Sequence, residues 1–179
     1  MTHNISIATE ADIPQLNVLI NDAYRGEHSK RGWTTEADLL DGSRTDEELL
    51  RGMMGNEGSF FLKHTVGEEI LGCVFLKEEN NELYLGMLTV SPELQGKGIG
   101  KKLLDASEEE ARKRNCHSIH MTVISVRTLL IEWYVRHGYL DTGIRKPFHH
   151  TDPRFGIPKQ PLEFVVLRKR IQDSSTVSR

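Results

Sequence analysis

Several things are scarce in this sequence, and each scarcity narrows the reading. Only two cysteines, Cys73 and Cys116, occur in 179 residues, and both sit inside apolar, strand-like runs. A disulfide framework is excluded, and two buried thiols are expected. No apolar stretch approaches the roughly 20 residues that cross a bilayer, so no membrane partner is expected. Met1-Thr-His-Asn-Ile lacks the basic start and apolar run of a secretory leader. A cytoplasmic location is the default expectation. Charge of one sign is missing too: 23 Lys and Arg stand against 26 Asp and Glu, with no long basic run. Nucleic acid is disfavoured as a partner, because phosphate neutralisation dominates that binding. Of the eight histidines, His117 and His120 are three apart on a strand and so face opposite ways. They offer no shared metal site, and no metal is expected.

What is present is ordinary for a globular chain: 37% hydrophobic, 27% charged, mean hydropathy -0.44. The length suits one domain over residues 1–172, with the polar stretch 173–179 expected to be a disordered tail. Ile5 and Ile7 alternate with polar residues as in an edge strand. Asp12 and Pro14 suggest a capped helix start, with Ile13, Leu16, Leu19, Ile20 and Ala23 on its buried face. Two short helical patterns follow Thr35 and Thr45. Strands over 59–66 and 69–77 read as a hairpin turning at Gly67-Glu68, and Asn80-Asn81 turns into a strand over 83–90. The period then changes. Residues 98–114 form a helix by pattern, with Glu108–Arg112, Glu109–Lys113 and Glu110–Arg114 spaced for ion pairing. A strand over 116–124, a helix over 126–137, a strand over 139–145 and a last strand over 162–169 complete a mixed α/β sandwich.

The informative stretch is Leu88-Thr-Val-Ser-Pro-Glu-Leu-Gln-Gly-Lys-Gly-Ile-Gly-Lys-Lys102. A strand ends at Val90, and three glycines lead into a helix. A helix start leaves backbone N–H groups unpaired and carries partial positive charge, so a diphosphate is a natural ligand. Gly96, Gly98 and Gly100 let a ligand approach those donors, and Lys97, Lys101 and Lys102 add charge. A structural strand–helix turn with solvated lysines would look similar. The P-loop fails, since neither Gly-Lys pair is followed by Ser or Thr, and the dinucleotide fingerprint fails on spacing.

The stretch resembles the GNAT N-acetyltransferase signature, Gln/Arg-x-x-Gly-x-Gly/Ala, matched by Gln95, Gly98 and Gly100. Trp133-Tyr-Val-Arg-His-Gly-Tyr139 is similar to the family's aromatic segment after its fifth strand. The resemblance covers roughly residues 60–167. It implies a GNAT-like α/β fold with a mostly antiparallel central sheet flanked by helices. It also implies an enzyme that uses acetyl-CoA, with a homodimer compatible. Leu88, Thr89 and Val90 would face the pantetheine arm and thioester, and the diphosphate would lie on the amides of Gln95, Gly96, Lys97, Gly98, Ile99, Gly100 and Lys101. The N–H of Val90 would stabilise the oxyanion, and Tyr134 would be the acid. By periodicity alone Tyr134 reads as core, sharing a face with Leu130. Many members carry Asn seven residues before the tyrosine, where this chain has Arg127, whose role the resemblance leaves open.

Acetyl transfer needs a neutral amine, and an amine with a pKa of about 10.4 is neutral in about one molecule in two thousand at pH 7. Glu82 is a candidate base, sharing parity with Tyr84, which stands where some members carry glutamate; His149 and His150 are others. The acceptor wall is expected in residues 24–54 and 146–160. Glu36 or Asp38 would suit a basic amine, and Arg25 or Arg44 an acidic one. The expected activity is transfer to a primary amine of a small metabolite or amino-acid-like acceptor. A protein lysine or N-terminal acetyltransferase, or a CoA-binding module without turnover, are the alternatives.

Overall fold

The structure is a computed structural model that describes residues 2–148 and 152–172. His149, His150 and the stretch 173–179 lie outside the described residues. The elements run β1 (His3–Ile7), α1 (Ile13–Tyr24), α2 (Gly26–Ser29), β2 (Leu40–Asp41), α3 (Glu47–Gly55), β3 (Ser59–Val66), β4 (Glu69–Glu79), β5 (Glu82–Val90), α4 (Ile99–Lys113), β6 (Ser118–Ile124), α5 (Thr128–Arg136), β7 (Leu140–Pro147), β8 (Ile157–Pro158) and β9 (Glu163–Arg170). The central sheet has the order β1-β3-β4-β5-β6-β9-β7, and β2 pairs with β8 apart from it. Tight turns set the register of its first half. Gly67 (φ 61°) turns β3 into β4, and Asn80 and Asn81 (φ 53° and 61°) turn β4 into β5, both at positive φ as a type I′ hairpin requires.

Alternation sorts side chains to the two faces. Leu62, Val74, Leu76, Leu83 and Leu85 pack with Leu103 and Leu104 of α4. Phe61, Cys73 and Phe75 pack with Ile13, Leu16 and Ile20 of α1 and Leu50 of α3. Both cysteines are buried and free, and burial pushes the Cys73 thiol up to about 12.

One pairing departs from the antiparallel rule and places the site. β5 and β6 run parallel and pair only at Glu82–Tyr84 with Ser118–His120. Beyond Tyr84 they part, although β6 stays paired to β9 as far as Ile124. The edge of β5 is therefore open toward its C-terminal end. The same part of β5 carries a bulge: its register against β4 slips between Cys73 and Phe75, and Met87 takes φ 49°. The extra residue reverses the alternation. Leu83 and Leu85 face α4 before it, Met87 faces α1, and Leu88 and Val90 return to the α4 side.

Three local expectations are corrected. Residues 36–40 make a single turn, not a helix, because Glu36 is drawn into buried ion pairs and Leu40 leads into β2. Asp12 does not cap α1; its carboxylate accepts from Thr9 N–H (2.8 Å) and from Lys63. Glu109 pairs with Arg112, three residues on, and not with Lys113.

Gly72 of β4 packs tightly under α4. A Cβ there would lie 3.0 Å from the Thr89 carbonyl oxygen, 3.0 Å from Ile99 Cγ2 and 3.1 Å from Leu103 Cδ1. Gly72→Val is expected to cost about 1–3 kcal/mol, the usual range for overpacking, read as a lower urea midpoint at unchanged m-value. A parental midpoint would refute this packing.

Candidate active site

The site is built where β5 ends. Ser91 N–H donates to the Leu71 carbonyl (2.9 Å). The neighbouring Gly72/Val90 pair is then the non-bonded one of the antiparallel ladder, and both polar groups of Val90 point away from β4, into the gap that β6 leaves. The Val90 carbonyl accepts from Gln95 Nε2 (3.1 Å), and Gln95 Oε1 accepts from Trp33 N–H (2.9 Å). One side chain thus ties the strand end to the segment that follows α2. A second tie comes from α1, where the Tyr24 hydroxyl donates to the Leu88 carbonyl (2.9 Å).

After the strand, Gly96 (φ 81°) and Gly98 (φ 85°) adopt left-handed conformations that glycine reaches without strain. Gly98 is the N-cap of α4, and no side chain caps it, so the first-turn amides of the helix remain available. A Cβ on Gly96 or Gly98 would meet nothing within 4 Å. Gly100 matters for packing instead. Its Cβ would lie 3.2 Å from the Trp133 ring of α5, so glycine there lets the two helices approach.

These parts enclose a cavity of about 460 Å³. Leu88, Thr89, Val90, Gln95, Gly96, Gly98, Ile99, Gly100, Lys101 and Tyr134 all line it. Lys97 points to solvent instead. Lys101 reaches the cavity while paired with Asp105 (2.7 Å). Tyr134 is 5% exposed, its ring against Trp133 and Tyr139. Burial raises its pKa well above 10, so the phenol stays protonated. Among the described residues its hydroxyl has no hydrogen-bond partner.

Tyr24, Trp33 and Thr34 form the wall across from α4. Glu36 lies behind it with both oxygens in use, Oε2 taken by Arg25 Nε (3.0 Å) and Oε1 by Arg127 (3.1 Å). It is therefore not a free carboxylate for a basic amine. Arg127 also donates to Thr34 Oγ1 (2.7 Å), so it anchors the wall to the start of α5. Spacing gave no sign of this triad, because Arg127 lies 91 positions from the Glu36 it pairs with. Glu82 is corrected as a candidate base. It sits at the far end of β5, outside the cavity, and its pKa is lowered by the hydrogen bond from Ser118 (2.7 Å) and by Arg168 and His120. Tyr84 lies along its strand over Gly86, where a Cβ would come within 3.0 Å of its ring. Among the described residues no group of three or more His, Cys, Asp or Glu could hold a metal ion. No helix there is long and apolar enough to cross a membrane.

Residues 32–151, more than half of the chain, match the model of the acetyltransferase (GNAT) domain. The chain belongs to the GNAT family. It is 37% identical over 65 residues to an acetyltransferase of Agrobacterium fabrum, a match covering 36% of this chain and 46% of that protein. The chain thus spans about half the length of this curated relative. Among solved structures it resembles a ribosomal-protein alanine N-acetyltransferase of Escherichia coli, with a TM-score of 0.71 at 15% identity over 99% of each chain. It also resembles a PaiA N-acetyltransferase of Thermoplasma acidophilum in complex with coenzyme A, at 0.67 and 19%, over 95% of this chain and 99% of that one. At such identities the likeness is one of GNAT fold.

The positive φ at Gly98 gives a direct test of the turn. Gly98→Val places a β-branched residue in the left-handed region and is expected to cost about 1–2 kcal/mol. Gly98→Asn, which tolerates that region, should lose distinctly less in the same urea titration. Equal losses would show that Gly98 does not hold this conformation.

Proposed function

We propose that the chain transfers an acetyl group from acetyl-CoA to a primary amine of a small metabolite or amino-acid-like acceptor, by direct attack. One observation carries the reading: the uncapped start of α4, the open strand end at Leu88 to Val90 and Tyr134 all line one cavity. That combination suits acetyl-CoA. The open amides of Gln95 to Lys101 would take its diphosphate, and the unpaired edge at Leu88 to Val90 would hold the pantetheine arm. Acetyl-CoA supplies the activated acyl group as a thioester.

The remaining roles belong to this chain. The Val90 N–H, which the strand register turns away from β4, donates to the carbonyl oxygen as negative charge grows on it. A preorganised donor of this kind typically contributes about 10²–10³ in rate. Tyr134 holds a proton for a departing thiolate and keeps it across the neutral range because burial disfavours the phenolate. Neither Glu36 nor Glu82 is placed to act as base, so removal of the amine proton falls to solvent and to desolvation in the cavity. The latch of Gln95 on Trp33 closes the wall over the strand end, which favours a small acceptor over a peptide laid in a groove. Residues 1–172 would act as one catalytic unit.

Tyr134→Phe tests the reading, since it removes the hydroxyl and keeps the ring packed. With an active amine, kcat is expected to fall by about 10²–10⁴ while the Kd for acetyl-CoA stays nearly constant. In the parent, the raised phenol pKa means that kcat should show no alkaline decline from loss of this proton up to about pH 10. A stable Tyr134→Phe protein with parental single-turnover rates would end the assignment of Tyr134 as the acid.

A further inference from the structure

Around the Tyr24 ring the chain gathers more positive charge than it neutralises. The Arg44 guanidinium lies 5.3 Å from the ring centroid and that of Arg127 5.8 Å from it. Arg25, one residue along the chain, is 7% exposed, and its pKa is lowered first by burial, with nearby Arg44 acting in the same direction. Glu36 is the carboxylate these guanidiniums share, through Arg25 and Arg127. The other acids of the segment are engaged elsewhere: Asp38 with Lys30, Asp41 with Lys159, and Asp46 with Arg154 and the first turn of α3. Tyr24 itself, its pKa pushed up to about 12 by burial, stays neutral. Three guanidiniums against one carboxylate leave two positive charges beside the cavity.

Two of those groups also have donors to spare. The Arg127 side chain is 9% exposed, yet its Nε is buried without a hydrogen-bond partner, and Arg127 lines the cavity. A buried guanidinium donor left unpaired carries a desolvation cost that an incoming anion removes. Among the described residues the guanidinium of Arg44 makes no ion pair and no hydrogen bond, only its stacking on Tyr24. The Tyr24 hydroxyl is fixed to Leu88 at the bulge, so this charge stands next to the place assigned to the reacting carbonyl.

We propose that the acceptor is a small amine that itself carries a carboxylate, and that Arg44 and Arg127 hold this carboxylate beside Tyr24; this rests on the acetyltransferase reading of the same site. The two charges serve both halves of such a molecule. They attract and orient the carboxylate, and guanidinium–carboxylate pairs are among the stronger hydrogen-bonded contacts. They also disfavour the ammonium form of the neighbouring amine, which raises the fraction of neutral nucleophile where no carboxylate base is at hand. A polycationic acceptor meets repulsion at the same place.

The experiment follows thiol release from acetyl-CoA with aspartate, phenylalanine and lysine, each against its α-carboxamide, and with spermidine as an amine free of anions. The expected result is a preference for the carboxylate form on the order of tenfold or more in kcat/KM, set mainly by KM. In Arg44→Gln the carboxylate and carboxamide forms should converge, while Arg44→Lys retains a preference and the Kd for acetyl-CoA in both variants stays parental. Urea unfolding of each variant shows that it is folded. Equal or better turnover of the carboxamides or of spermidine would overturn the proposal and leave the acetyltransferase reading standing. So would an Arg44→Gln protein that loses both forms equally. Absence of thiol release with every amine, while acetyl-CoA still binds, would overturn both.

Discussion

The parting of β5 from β6 is the constraint on which the rest of the molecule turns. A parallel pair that ended at full length would satisfy the edge of β5 and leave nothing for a ligand. Here the pairing stops after Tyr84, and β6 follows β9 instead. Backbone groups that a sheet normally consumes are left facing a gap. Buried backbone polar groups need partners, so the gap is chemically predisposed to take an extended ligand with amides of its own. The bulge then adjusts which groups are offered. By inserting one residue it returns Leu88 and Val90 to the α4 side and aims the Val90 polar groups at the opening.

Neighbouring elements hold this opening in shape through few contacts. Gln95 spans from the Val90 carbonyl to the Trp33 amide, Tyr24 reaches the Leu88 carbonyl, and Arg127 reaches Thr34 and Glu36. The first two tie other segments to the end of β5, and the third ties the wall to the start of α5. Gln95 therefore has a side-chain role beside the backbone one that the family signature suggests. Arg127, in place of the Asn common in the family, adds to the anchoring of the wall.

Local chemistry was legible in the sequence wherever a period or a turn residue governed it. The Gly67-Glu68 and Asn80-Asn81 turns, the apolar face of α1, and the strand–glycine–helix order at Val90 to Gly100 are all features of neighbouring residues. The cavity lining followed the glycine-rich turn closely, Lys97 excepted, because the backbone there leaves little choice. Long-range polar contacts left no trace. The Arg25–Glu36–Arg127 triad joins distant segments, and it is what prevents the helix that the pattern at 36–40 suggests. Glu82 misled for a related reason: parity along a strand tells which face a side chain takes, but says nothing of the Ser118 hydroxyl beside it or of its distance from the gap.

The sheet that opens in its middle also ends in two edges, and these are guarded differently. β1 is only five residues long. β7 is longer, but its register against β9 shifts between Asp141 and Arg145, where Gly143 takes φ 81°, and it closes with Pro147. An irregular, charged edge that ends in proline is a poor template for another strand. The molecule thus keeps unpaired backbone in its interior, where a ligand can use it, while its rim discourages aggregation by strand addition.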